Sequence, residues 1–305
     1  MRDTFVKTLL EAAKKDKNLI LMTGDLGYGV LDTFEKELPA QFINSGVNEQ
    51  TMMGMAAGFA STGKRVFVYS IGNFPTLRCL EQIRNDVCLM NNPVVVVSVG
   101  AGYAYGSQGY THHALEDIAV LRALPNMEVI VPADPAETAA LTLSIIASKK
   151  PTYLRLGKSG EPAIHTSALN VSHGVINEVS PGSAGALIFA GSVGTVAVAA
   201  AKELAGQGIS VAVASMPYVS TIDIAYIKKA LDKGPVIVIE EHSYRGGVGT
   251  AVLEAMNAAH LSGAVGLIAA DQNNLSQIGD QNYLRTANGI NVEKIVAKFN
   301  ALKVD

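Results

Sequence analysis

An α/β fold, built on a doubly wound parallel sheet followed by a second, smaller α/β layer, is the architecture these 305 residues predict. Three observations carry that reading. Hydrophobic residues make up 49% of the sequence and charged ones 17%, so many segments must be buried on both sides, as the strands of a helix-covered parallel sheet are. Short β-branched runs such as Val94 to Val99 alternate with segments of helical spacing. The length allows about two domains of ~150 residues each, with material for real cores.

The same figures exclude several classes of function. A formal net charge of -3 and the lack of a basic run argue against a nucleic-acid surface. No apolar stretch approaches the ~18 residues that span a bilayer, and Asp3, Lys7 and Glu11 sit within a helical pattern rather than a signal peptide. A cytoplasmic chain with no membrane partner is therefore expected. Cys79 and Cys88 fall about 180° apart on one predicted helix at ~100° per residue, so they read as packing residues of a reducing compartment.

Taken in order, Phe5, Val6, Leu9, Leu10 and Ala13 repeat at helical spacing before the strand Leu19 to Met22, which ends at Thr23-Gly24-Asp25. Asp25 is thus at a strand's carboxyl end, where open α/β sheets bind ligands; an Asp followed by Leu26-Gly27 is equally a turn residue. The run Gln41 to Asn44 gives way to a helix from Glu49 through Gly63, so Glu49 lies in the first turn, favoured there by the helix dipole whether or not it has a further role. Met52, Met53 and Met55 on that helix suit a core or a subunit contact. Val66 to Ser70 is the next strand. Leu77, Leu80, Ile83, Val87 and Met90 then mark a helix ending before Asn91-Asn92-Pro93. The central strand Val94 to Val99 leads into a long loop, Gly100 to His113, with four glycines and three tyrosines, a functional candidate by length. A helix, the strand Val129 to Val131, another helix and the strand Thr152 to Leu156 complete a first domain over residues 1–160.

Residues 161–182 are polar enough for a linker. In the second domain, 183–305, Leu187 to Ala190, Val211 to Ala214 and Val236 to Ile239 alternate with helices. Gly191-Ser192-Val193-Gly194 reads as a tight strand-to-helix turn, anion binding being the other reading of such a glycine pair.

Five strings occur in one order: Asn44-Ser45-Gly46-Val47-Asn48-Glu49-Gln50-Thr51, Glu81 to Asp86, Gly109-Tyr110-Thr111-His112-His113-Ala114-Leu115-Glu116-Asp117, Leu124 to Met127, and Pro132-Ala133-Asp134. Together they resemble the pyrimidine-binding half of a transketolase. Glu240-Glu241-His242 followed by Gly246-Gly247 resembles the C-terminal domain of the same family, where these residues are expected to be architectural. The resemblance covers nearly the whole chain and corresponds to the second half of a full-length transketolase.

It implies thiamine diphosphate as cofactor, held by its pyrimidine end, with Glu49 hydrogen-bonding the ring and Phe74 stacking on it, a core Phe being the plainer reading of Phe74. A buried Glu49 beside an apolar ring would hold its proton more readily. Asp25 matches a cofactor contact. His112 matches a histidine that faces the substrate, and Gln108 and Lys158 fall where substrate-binding residues lie. The sugar-phosphate enzymes carry a charged pair where this chain has Ser107 and Gln108, an arginine near Lys158 and a histidine near Gly100, which leaves the phosphate site open. The family's Gly-Asp-Gly signature is absent; Gly24-Asp25-Leu26 and Gly279-Asp280-Gln281 are superficial echoes. Hence no metal ligand is expected here. An N-terminal transketolase subunit is expected to hold the diphosphate and Mg2+ or Ca2+, in a heterotetramer with two copies of this chain. Alternative readings are a deoxyxylulose-phosphate-synthase-like chain, a 2-oxo acid dehydrogenase β subunit, or a non-catalytic scaffold subunit.

Overall fold

The apolar runs of the first half become six strands in the computed structural model, which describes residues 1–166, 169–271 and 275–303. They are β1 (Leu19–Thr23), β2 (Phe42–Asn44), β3 (Arg65–Ile71), β4 (Val94–Val99), β5 (Glu128–Ile130) and β6 (Thr152–Leu156). They pair in parallel in the order β2-β1-β3-β4-β6-β5. The helices of this half are α1 (Arg2–Ala13), α2 (Asp32–Glu37), α3 (Glu49–Ser61), α4 (Leu80–Gln82), α5 (Asp117–Arg122) and α6 (Pro135–Ala147).

Period-two alternation splits the sheet's side chains between two cores. Phe67, Tyr69, Val95 and Val97 face α1 and α6, packing with Phe5, Leu9, Leu141 and Ile145. Val66, Val68, Val94 and Val96 face the other way, against Met52 and Met53 of α3 and Ile83 and Val87. Each fully buried valine of β4 is worth about 1.5–3 kcal/mol. Chain direction reverses about β1: the path steps outward to β2, then returns past β1 to β3. The loops leaving the carboxyl ends of β1 and β3 therefore diverge and open a crevice, the place where such sheets bind ligands.

The helix expected from Leu77 to Met90 is less regular than its spacing implies. A 3-10 turn, Leu77–Cys79, leads into α4, and Ile83–Leu89 is a π-helix. The wider winding buries Ile83, Val87 and Cys88 together, while Leu77 and Met90 face solvent.

The second sheet contains β7 (Asn177–Ser180), β8 (Ala186–Ala190), β9 (Ala212–Ser215), β10 (Val236–Ser243) and β11 (Val265–Ala270), ordered β11-β10-β8-β9-β7. The strand β7 lies inside the segment expected to be linker. It runs antiparallel to β9 at the sheet's edge, where a short polar strand needs only one apolar side. Helices α7 (Gly194–Gly206), α8 (Ile224–Leu231), α9 (Val248–Ala258), α10 (Gln281–Ala287) and α11 (Val292–Lys303) cover this sheet. One core cluster runs from α3 through the first sheet to Ile188 and Val236 of the second sheet and Val252 of α9, so the two layers share apolar packing. No described helix is long and apolar enough to cross a membrane.

Candidate active site

Each of the six residues singled out from the sequence follows the carboxyl end of a parallel strand: Asp25 after β1, Glu49 after β2, Phe74 after β3, Gln108 and His112 after β4, and Lys158 after β6. Strand polarity alone puts them on one edge of the sheet. The loops then divide them into two groups.

Glu49 begins α3 behind the cap residue Asn48, whose side chain accepts from the Thr51 N–H at 3.3 Å. It is 3% exposed. Its Oε2 lies 2.8 Å from Nη1 of Arg78, whose side chain is 48% exposed. The same guanidinium sits 4.6 Å above the ring of Phe74, and that ring meets the His112 imidazole edge-on at 5.3 Å. Glu49, Arg78, Phe74 and His112 thus form one chain of contacts across three loops. The apolar neighbour expected for Glu49 is replaced, within this chain, by a guanidinium. Arg78 was missed in the sequence, where its only signal is a cation four positions past Phe74 in a loop that leaves a strand's carboxyl end.

Hydrogen bonds lock these loops together. Gly72, at φ +47°, places its carbonyl where Ser98 Oγ donates at 2.9 Å and Thr76 Oγ1 at 3.3 Å. The Asn73 amide donates to the His113 carbonyl at 2.6 Å, which sets the β4 loop against the β3 loop. His113 turns inward, 1% exposed and edge-on to Tyr103 at 5.2 Å. Burial holds its pKa below the ordinary histidine value, so it packs as a neutral ring. His112 stays half-buried at the crevice with Thr111 Oγ1 3.0 Å from its Nδ1.

Asp25 serves the turn. It is exposed, with φ +56°, and its Oδ1 accepts from Tyr28 OH at 2.7 Å and from Asn44 Nδ2 at 3.2 Å. Asn44 Oδ1 returns a bond from the Asp25 N–H at 3.0 Å, tying the end of β1 to the end of β2. The Tyr28 and then the Asn44 hydrogen bonds hold the carboxylate below its usual pKa.

The second group opens elsewhere. Lys158 Nζ stands 4.9 Å over the Tyr105 ring, and Lys158 lines a cavity of about 720 Å3 together with Ser107 and, from the second domain, Ser192, Thr195, Gln281 and Arg285. Glu49, Phe74 and His112 are not among its lining residues. Gln108 is exposed on the turn Gly106–Gln108 at the same loop's apex. At Gly100, φ is +96° and a Cβ would lie 2.2 Å from the Tyr105 ring, so Tyr105 fills the space a side chain there would need.

The ionisable run Glu240-Glu241-His242 of the second domain is architectural. Glu240, pushed up to about 7 by burial, accepts from the Val248 and Gly249 N–H groups at 2.6 and 2.9 Å and caps α9. Glu241 accepts from Tyr103 N–H at 2.7 Å and from Arg285 Nε at 2.8 Å, clamping the β4 loop to the second domain. His242 is buried 3.8 Å from Asp117, itself bonded to Arg155 Nε at 2.6 Å. In the Gly191 to Gly194 turn, Ser192 Oγ accepts from Arg285 Nη2 at 2.8 Å.

A buried carboxylate reached from solvent beside an aromatic face suits a planar ring with N–H groups, which an aminopyrimidine is. A diphosphate requires a cation and several donors. Among the described residues no group of three or more His, Cys, Asp or Glu is placed to hold a metal ion. Glu49 and Phe74 offer the carboxyl group and the aromatic face that suit the pyrimidine end of such a cofactor.

Two family models match: the transketolase pyrimidine-binding domain over residues 1–161 and the transketolase C-terminal domain over residues 174–295. One of the subunits of the apulose-4-phosphate transketolase of Phocaeicola vulgatus is 37% identical over 259 residues, covering 84% of this chain and 83% of that protein. A putative transketolase C-terminal section of Methanocaldococcus jannaschii is 37% identical over 261 residues, covering 84% and 81%. A solved split-gene transketolase, described as an inactive β4 tetramer, superposes with a TM-score of 0.91 at 29% identity over 99% of this chain and 98% of that one. With matching domains in matching order, this chain belongs to the transketolase family.

Proposed function

We propose that this chain is the C-terminal subunit of a two-subunit, thiamine-diphosphate-dependent transketolase that moves a two-carbon ketol unit from a ketose to an aldose. The observation that carries this is the convergence of Glu49, Phe74 and His112 at the crevice beside β1 and β3, in a chain with no Gly-Asp-Gly diphosphate signature. An N-terminal subunit supplies the diphosphate site and Mg2+ or Ca2+, two of each chain forming a heterotetramer in the cytoplasm.

When bound, the cofactor supplies a carbanion at its thiazolium carbon. Glu49 holds the aminopyrimidine by a hydrogen bond from its carboxyl group, so the ring takes the tautomer that accepts a proton. Phe74 gives the ring a face to stack on. Asp25, at the end of β1, lies on the cofactor side of the crevice. His112 hydrogen-bonds a substrate oxygen and moves a proton as the carbon–carbon bond breaks. Gln108 and Lys158 are assigned to the far end of the substrate on the family match, Lys158 as a point charge for a phosphate, although Lys158 lines a cavity that Glu49, Phe74 and His112 do not. The apulose-4-phosphate relative carries a phosphorylated ketose in its name, which agrees with a cation at that end.

In the assembled complex, Glu49→Gln is expected to lower kcat by ~10²-fold or more, as for loss of an acid–base group. Wild-type turnover by that variant would overturn the reading. So would pyruvate consumption with carbon dioxide release in place of ketol transfer, which is synthase chemistry.

A further inference from the structure

Arg78 holds both contacts that this chain offers a pyrimidine ring: the Glu49 carboxylate at 2.8 Å and the Phe74 face at 4.6 Å. A guanidinium is planar, bears N–H groups along its edge and stacks on aromatic rings, which is also what an aminopyrimidine presents. The two ligands of Glu49 compete for one place, because the guanidinium on Oε2 also fills the space over the Phe74 ring that a stacked pyrimidine needs. The pair is also unequal in burial. Glu49 is fixed in the first turn of α3 with its side chain 4% exposed, whereas Arg78 reaches in from solvent with 48% of its side chain exposed. The fixed member needs a partner, since a buried charge left alone is costly, and the exposed member is free to leave.

We infer that Arg78 is a displaceable counter-ion for Glu49: it occupies the pyrimidine's place on Glu49 and Phe74 in the cofactor-free chain and withdraws when the ring binds. The inference rests on the transketolase reading of Glu49. Its consequence is a half-site that stays folded and charge-paired before assembly, at the expense of cofactor affinity, since binding must break the pair.

The test uses the complex of this chain with its N-terminal subunit, titrated with thiamine diphosphate and Mg2+ by calorimetry, comparing wild type with R78Q, R78K and E49Q. The free chain and the loaded complex are also melted. R78Q is expected to bind the cofactor roughly fivefold to tenfold tighter, the scale of a partly buried ion pair removed from the free state only. It should lower the Tm of the chain alone and leave that of the loaded complex unchanged. R78K, which keeps the charge and loses the planar fork, is expected between wild type and R78Q, and it decides the matter if R78Q does not fold. Cofactor binding that is unchanged or weaker in both variants overturns the inference. E49Q separates the two failures. If E49Q binds the cofactor as wild type does, the transketolase reading of Glu49 falls and the inference with it; if E49Q weakens binding while the Arg78 variants fail to tighten it, only the counter-ion role is lost.

Discussion

Replacing Glu241 with Gln keeps the shape of a buried side chain and removes its charge, and the geometry shows why no rotation of the amide can compensate. In the native chain Oε1 accepts from the Tyr103 N–H at 2.7 Å and from Gln281 Nε2 at 3.0 Å, while Oε2 accepts from Arg285 Nε at 2.8 Å and from Gln281 Nε2 at 3.1 Å. Every partner is a donor. A glutamine must turn its NH2 toward either Tyr103 or Arg285, so one orientation opposes two backbone and amide donors and the other opposes a guanidinium. Arg285 is 6% exposed and would lose its counter-ion. Breaking a buried pair from one side costs about 3–5 kcal/mol. At 2–4 °C per kcal/mol, the low end of that range gives a Tm lower by roughly 6–12 °C. Urea unfolding of the isolated chain measures the loss, and hydrogen exchange at the Tyr103 amide reports whether the loop has come away from the second domain. In the assembled complex kcat should fall as well, because Tyr103 lies in the Gly100 to His113 loop that carries His112. A loss below ~1 kcal/mol, with the Tyr103 amide still protected, would refute the idea that Glu241 clamps this loop.

Three further outcomes are expected. His112→Asn, half-exposed at the crevice, should leave the urea midpoint unchanged and reduce kcat of the complex by ~10²-fold. His242 tests the buried network by pH. Burial, opposed by Asp117, lowers its pKa from 6.5 to about 4, so between those values the unfolded chain binds a proton that the native chain does not. Its contribution is therefore complete above pH ~6.5 and is lost as pH falls toward ~4. From pH 7.5 to 5, wild type should lose about 2 kcal/mol more stability than His242→Gln does, and equal losses would remove the histidine from the network. Cys79 and Cys88 are both buried, and burial pushes each thiol up to about 12. Neither should react with a disulfide reagent at pH 8 until urea is added, when both should.

Much of the fold was legible because it is written in near-neighbour patterns. A β-branched run such as Val94 to Val99 can only be a doubly buried strand, and an acid placed just past a strand and a cap residue can only open a helix, as Glu49 does. The six candidate residues and the half-site expectation came instead from the resemblance to transketolases and its missing glycine signature, and the strands place all six past their carboxyl ends. The short polar strand β7 was read as linker because nothing in its composition announces an edge strand, and β11 was not singled out because its side chains are buried only on alternate positions. The π-helix escaped because its extra residue per turn is invisible in an apolar spacing that also suits an α-helix. Glu49 meets Arg78 from 29 positions away and Tyr103 meets Glu241 from 138. Which loop faces which is set by the order of strands in the sheet and by the seating of one layer on the other. For that reason the sequence by itself determined the fold class and, through its resemblance, put forward Glu49 and His112, while only the tertiary structure decided that a guanidinium lies on that acid and that Lys158 opens into a cavity apart from it: near-neighbour sterics shape each loop, but contacts between loops depend on the whole sheet.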